Sequence, residues 1–271
     1  MSFQPVLPSG GFAGWRFLER TLDRQMEIHA NAPTAKREEA YFRERIGQVT
    51  SASDLVADRR LLKVALTAFG LLDDLPNRAF IERVLESPTS ERRSFANRLG
   101  DRRYAAMAEA FGFGETTPPR TQQPGFADRI IGLHQGRSFE EAVGAQDDSM
   151  RLALALRRDL TDVAARDNSE EAKWLTILGT PNLRTVFETA FRLPNGFGAL
   201  DLDRQIDVMR DRTRRAFGDA SVSQFADPQQ LERLTQRYFL SEQVNFGATL
   251  SSGSTALMLL QGGQVQPLRS I

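Results

Sequence analysis

Apolar residues recur at three- and four-residue spacing along almost the whole chain, the mark of helices that bury one face. Trp15, Leu18, Leu22 and Met26 open the series, and Pro33 ends that run. Thr34 can cap a second helix carrying Ala40, Tyr41 and Ile46 on its apolar side. Ser51 or Ser53 then caps one helix running through "LVADRRLLKVALTAF", where Val56, Leu61, Ala65 and Ala68 form a stripe. Gly70 fits the left-handed position that closes it. Pro76 suits a first helical turn, followed by Phe80, Val84 and Leu85 facing inward, and Pro88 stops that helix. "SERRSFANRL", closed by Gly100, and "DRRYAAMAEAF", closed by Gly112, complete the first half.

Residues 114–125, "GETTPPRTQQPG", hold three prolines, two glycines and no apolar residue, which predicts a linker. Beyond it, Ser138 and Glu141 match a capping box that opens a helix running to Ala165. "DNSEEAKWLTILG" is the next helix. Thr180-Pro181 and Asp227-Pro228 are strong helix starts, the second leading through Phe239. Asp201 or Asp203 opens "RQIDVMRDRTRRAF", ended by Gly218.

Polar and apolar positions do not alternate over any full segment, so no strand is predicted. The expectation is an all-α protein, an irregular multi-helix bundle of about ten helices. Its predicted organisation is a flexible N-terminal tail (1–13), an N-terminal helical subdomain (14–113), the Pro/Gly linker (114–125), a C-terminal helical subdomain (126–250) and a flexible C-terminal tail (251–271).

One pattern recurs. Aligned on Ala68, Ala110 and Ala190, the residues Phe69, Phe111 and Phe191 coincide, as do Leu71, Phe113 and Leu193. "RTRRAFGD" repeats the Ala-Phe-Gly ending. Helix-end chemistry accounts for it: Ala for close approach, Phe for burial, Gly for the turn. A degenerate helical repeat is the second reading. Neither explains the arginine pairs Arg59-Arg60 and Arg102-Arg103.

Composition narrows the function classes. Lys+Arg and Asp+Glu are equal at 35 each, whereas a general nucleic-acid binder needs a basic excess. Without cysteine there are no disulfides, thiol chemistry, iron–sulfur clusters or cysteine zinc sites, which suits a cytosolic protein and equally an exported one that uses no disulfides. The N-terminus lacks the basic region and apolar core of a cleaved secretory signal. The longest apolar run, Thr255 to Leu260, is far shorter than the roughly 20 residues of a membrane helix.

Candidate chemistry is sparse. His29 and His134 have no second His at metal-ligand spacing; His29 sits near a helix C-terminus and His134 in a predicted turn. Asp73-Asp74 is placed to cap a helix, and Asp147-Asp148 reads as a solvated helix face. No phosphate loop, nucleophile elbow or zinc motif is present. The expectation is therefore no catalytic, cofactor-binding or metal-ligating residues and no cofactor. An enzyme with a site of scattered arginines and acids is a further alternative, which a deep polar cleft holding His134 or Asp147 would favour.

Four stretches, "GFAGWRFLERTLDRQ", "ADRRLLKVALTAFGL", "FANRLGDRRYAAMAEAFGF" and "LDRQIDVMRDRTRRAFGD", together resemble a bacterial family of unknown function whose genes are commonly found among flagellar genes. The resemblance covers most of the chain, from about Gly11 to Leu240. It implies an all-helical protein without established activity that serves flagellar assembly or structure, and it supplies no catalytic residues. The functional expectation is a non-enzymatic structural or assembly protein acting through protein–protein contacts with flagellar components, cytoplasmic or exported without a cleaved signal. A cytosolic regulatory or chaperone-like binding protein is the alternative. The apolar islands near both ends, Phe12 and Trp15, and Leu257, Met258, Leu259 and Leu260, are the candidate partner contacts; for Trp15 the competing reading is that it docks on its own core.

Overall fold

A computed structural model describes residues 3–115 and 118–261, the side chains of 245–261 excepted. Thirteen α-helices follow in chain order: α1 (Gly11–Ala30), α2 (Pro33–Arg45), α3 (Ala52–Ala57), α4 (Arg59–Phe69), α5 (Arg78–Leu85), α6 (Phe95–Arg98), α7 (Arg102–Phe111), α8 (Phe126–Gly144), α9 (Asp148–Ala165), α10 (Glu170–Leu178), α11 (Pro181–Ala190), α12 (Leu202–Phe217) and α13 (Pro228–Gln261). Among the described residues there is no strand. The protein is all-α, and the helices outnumber ten because two of the predicted ones are divided.

Asp58 divides the first. Its backbone is extended, and its Oδ1 accepts the amides of Arg60 (2.9 Å) and Leu61 (3.1 Å), which starts α4 afresh. The second was read as opening at Ser138 and Glu141, but both lie inside α8. The Ser138 hydroxyl is bonded instead to His29 Nε2 at 2.8 Å. Asp147, read as a solvated mid-helix face, is the N-cap of α9 and accepts the Met150 amide.

The Ala-Phe-Gly ending is one backbone device. Gly70, Gly112 and Gly218 are all left-handed, with φ of 69°, 69° and 90°. In the third copy Arg192 stands where glycine would, at φ 50°. Its neighbour Leu193 donates back to the Glu188 carbonyl, just as Leu71 donates to Leu66. The phenylalanines then pair: Phe69 with Phe111 (centroids 6.4 Å apart) and Phe191 with Phe217 (6.5 Å). A left-handed L-residue costs roughly 1–2 kcal/mol. Arg192→Gly is therefore expected to raise stability by about 1 kcal/mol, read as a higher urea midpoint. A lower midpoint would show that the Arg192 contact with Ser241 outweighs the backbone strain.

The packed interior has two centres. One gathers Phe42, Leu62, Leu66, Ile81, Leu85 and Phe111 with Phe126, Ile130 and Ile131 from the start of α8. The other gathers Phe139 and Val143 from the end of α8 with Leu156, Trp174, Phe187, Phe225, Phe239 and, from α1, Trp15 and Leu18. The spatial division thus passes through α8 and not through residues 114–125. The helix α1 belongs with the C-terminal half.

The predicted linker is tied to the body at its middle, while Glu115, Pro118 and residues 122–125 are exposed. Pro119 and Thr121 are buried, and the Thr121 hydroxyl donates to the Val49 carbonyl at 2.7 Å. Prolines and glycines suited it to a close-fitting path rather than a free one. Thr116 and Thr117 lie outside the described residues.

The N-terminal stretch read as a flexible tail is also tied down. Gln25 receives the Val6 amide (2.7 Å) and donates to the Val6 carbonyl, and Gln146 donates to the Pro5 carbonyl. Phe3 and Leu7 pack on the second centre. A Cβ added at Gly14 would lie 1.8 Å from the Ser9 carbonyl oxygen, so only glycine lets this strap cross α1 so closely.

Candidate functional site

A polar cleft forms where the two packed centres meet, and its first piece is the start of α7. Asp101 caps that helix by accepting the Arg103 amide and holds the Arg103 guanidinium with both carboxylate oxygens, the shortest contact being 2.6 Å. Arg103 Nη1 donates to the Gly70 carbonyl at the end of α4, where a cation is favoured by the helix dipole. Burial works against the Arg103 charge, but Asp101 outweighs it and holds the pKa above the ordinary value. Arg103 of the pair at 102–103 thus clamps one helix end onto another, while Arg102 reaches the Thr176 hydroxyl in α10. The pair at 59–60 differs: Arg60 stacks over the Tyr41 ring at 3.6 Å, and the Tyr41 hydroxyl donates to Asp58.

The facing wall comes from α8 and α9. Arg158 holds Asp159 through two bonds of 2.8 and 2.9 Å and also donates to Glu140. Arg137 lies beside this group, 3.6 Å from Glu140 Oε2 and 3.7 Å from Asp159 Oδ1. Burial, then the charge of Arg158, pushes the Arg137 pKa down to about 10. Burial and the nearby Asp73 push the Glu141 carboxyl above its usual range.

Two connected hollows result. One, of about 520 Å³, is lined by five arginines (102, 103, 120, 137 and 166) against four acids (Glu109, Glu115, Asp159 and Asp162), with Thr176, Thr180 and Asn182. The other, of about 570 Å³, shares Arg103, Arg137 and Asn182 and adds Asp73, Glu140, Glu141 and Arg151. The first therefore carries an excess of guanidinium groups, a chemistry suited to carboxylate or phosphate oxygens.

Neither histidine lines either hollow. His134, read as lying in a turn, is buried within α8 with Nε2 4.0 Å from Glu38, and burial lowers its pKa. His29 lies in the last turn of α1 as expected, edge-on to Phe3 and Phe139, its pKa likewise lowered by burial. Among the described residues no group of three or more His, Cys, Asp or Glu side chains could hold a metal. No described helix is long and apolar enough to cross a membrane.

The candidate partner contacts fall in two places. Trp15 is 1% exposed, against Phe239 at 5.9 Å between ring centroids, so it is a core residue and not a surface anchor. Phe12 is half-buried beside the same ring. Leu257, Met258, Leu259 and Leu260 fall on the part of α13 whose side chains lie outside the described residues. The cleft arginines were not singled out as a site in the sequence; the unexplained pair Arg102-Arg103 was the one signal that led towards it.

The molecule is thus an all-helical protein of two packed centres with an arginine-rich cleft between them. A family model described as a protein of unknown function (DUF1217) matches residues 68–231, and the chain belongs to that family. It is also similar to a solved structure, the crystal structure of protein AGR_C_984 from Agrobacterium tumefaciens. The two share 28% identity with a TM-score of 0.72 over 90% of this chain and 98% of that one. No curated protein matches the chain.

Proposed function

We propose that this is a non-enzymatic assembly protein that binds another protein through the end of α13, in the flagellar setting its sequence resemblance implies. The observation that carries this reading is the course of α13. That helix packs against α1, α9 and α11 and runs on to Gln261. Residues 245–261 carry it roughly 25 Å further at 1.5 Å per residue.

The sequence of that extension supports a protein partner. From Gln243 to Leu268 there is no charged residue, in a chain of which 26% is charged. A helix bare of charge, with Leu257, Met258, Leu259 and Leu260 in its last turns, is suited to burial against another surface. The last described turns already expose Leu240 and Val244, each about half accessible.

Ending the chain after Val244 tests the reading. The described members of both packed centres lie before that point, and the shortened protein is expected to unfold within a few degrees of the full chain. In the native bacterium, crosslinking followed by mass spectrometry is expected to recover flagellar components with the full chain and lose them with the shortened one. Equal recovery with both would sink the role of α13. A gene deletion that leaves swimming and filaments unchanged would sink the flagellar setting.

A further inference from the structure

The assembly role leaves Arg137 unexplained. A guanidinium group presents five donors and normally gathers several charge-assisted hydrogen bonds when it is buried. Arg137 has a side chain only 17% exposed and makes no hydrogen bond to a described residue. Its closest carboxylate oxygens, on Glu140 and Asp159, stand at 3.6 and 3.7 Å. Arg158 has already engaged both of those carboxylates.

Arg102, which is exposed, and Arg120, which is half-buried, line the same 520 Å³ hollow. Among the described residues Arg102 is bonded to no carboxylate, and its side-chain partner there is the Thr176 hydroxyl at 3.3 Å. Arg120 donates to the Glu109 carbonyl, and its charge also acts on the exposed Glu115. The acids on the same wall answer them only in part. Asp159 is taken by Arg158 and Glu115 by Ser90 and Thr89, while Glu109 and Asp162 are exposed, where water screens their charge. The volume falls within the range of small-molecule sites.

We infer that this hollow binds the oxyanion group of a small molecule, a phosphate or a carboxylate, with Arg137 as its buried contact and Arg102 as its contact at the mouth. The fork of Arg137 supplies paired donors to two oxygens of such a group. Asn182 lines the same space, and its amide nitrogen offers a neutral donor for a remaining oxygen; the Thr176 and Thr180 hydroxyls already donate to the Ala172 and Thr176 carbonyls. This site is independent of α13 and of the assembly reading.

Calorimetric titration of the full chain with sodium phosphate and, separately, with citrate tests it, each against chloride at matched ionic strength. Saturable binding of at least one, with Kd below about 1 mM, is expected. Phosphate alone or citrate alone would identify the group; either supports the site. Arg137→Lys keeps the charge and removes the fork, and Arg102→Gln removes a charge from the mouth. Each is expected to weaken binding by about tenfold or more while the circular dichroism spectrum is unchanged. Should Arg137→Lys fail to fold, Arg102→Gln decides the matter alone. No saturable heat from either anion at about 10 mM would overturn the inference, as would binding that survives substitution within about twofold.

Discussion

Trp15→Ala is expected to remove about 3–5 kcal/mol of stability, the range for losing a buried aromatic side chain. A domain has only about 5–15 kcal/mol to lose, so the effect is large. Trp15 sits with Leu18 in the second packed centre and against Phe239, and it thereby joins α1 to α13. Its Nε1 has no hydrogen-bond partner among the described residues. Most of its contribution is therefore apolar area and ring contact, so Trp15→Phe is expected to cost well under half as much. Urea unfolding followed by far-ultraviolet circular dichroism measures both. The midpoint should fall steeply for the alanine variant with an unchanged slope. A midpoint within a few tenths of a molar of the parent would mean that Trp15 does not hold the core, and would return it to the role of a partner anchor.

The same residue shows what was legible in the sequence. Its helical spacing with Leu18, Leu22 and Met26 was readable because amphipathic period is a local property. Whether it faced its own core or a partner was not, because Phe239 lies more than two hundred positions away. Helix starts were readable where proline stands in the first turn, as at Thr180-Pro181 and Asp227-Pro228, although the Thr180 hydroxyl itself caps nothing and donates to the Thr176 carbonyl; so were the left-handed endings at Gly70, Gly112 and Gly218. They failed where one local signal concealed another. Ser138 and Glu141 have capping-box spacing, yet Ser138 serves His29 from inside α8. Gly132 and Gly136 suggested a turn around His134, but a Cβ at either would meet nothing, and α8 runs straight through.

The cleft was the least legible part. Asp101, Arg103, Arg137 and Asp159 come from three helices, and no spacing along the chain links them. Only tertiary packing brings the end of α4, the start of α7 and the faces of α8 and α9 to one place. What could be seen was that Asp58-Arg59-Arg60 and Asp101-Arg102-Arg103 both precede an Ala-Phe-Gly ending. The aspartates prove to be caps, and the arginines diverge in use: Arg60 stacks on Tyr41 while Arg103 clamps Gly70.

Lys173→Met is expected to cost about 2–3 kcal/mol, from a mechanism that composition hinted at and spacing concealed. Arginine supplies nearly all the positive charge, yet one of the three lysines is buried, at 5% exposure. Its Nζ donates to the Ala164 carbonyl at the end of α9 (3.0 Å) and to the Ser223 hydroxyl (2.6 Å), and lies 3.5 Å from Glu170 Oε1. Glu170 in turn accepts the Val222 amide and the Ser223 hydroxyl. One ammonium group thus ties the end of α9, the start of α10 and the turn before α13. Methionine would fill the same volume but leave a helix carbonyl and a carboxylate without their cation. Breaking a fully buried pair costs about 3–5 kcal/mol, and the partial exposure of Glu170 argues for the lower figure. The loss should also depend on pH. Burial opposes the Glu170 charge, but the bonds from Ser223 and Val222 and the charge of Lys173 hold its pKa below the usual value. Its contribution is therefore fully present above the unfolded carboxylate pKa, near 4.3, and is lost as pH falls through the folded one. The gap between parent and Lys173→Met, measured by urea unfolding, should be widest near pH 7 and narrow below about pH 4. A gap that is small at pH 7, or constant across that range, would mean that the lysine contributes through its aliphatic stem and that the Glu170 charge is balanced elsewhere.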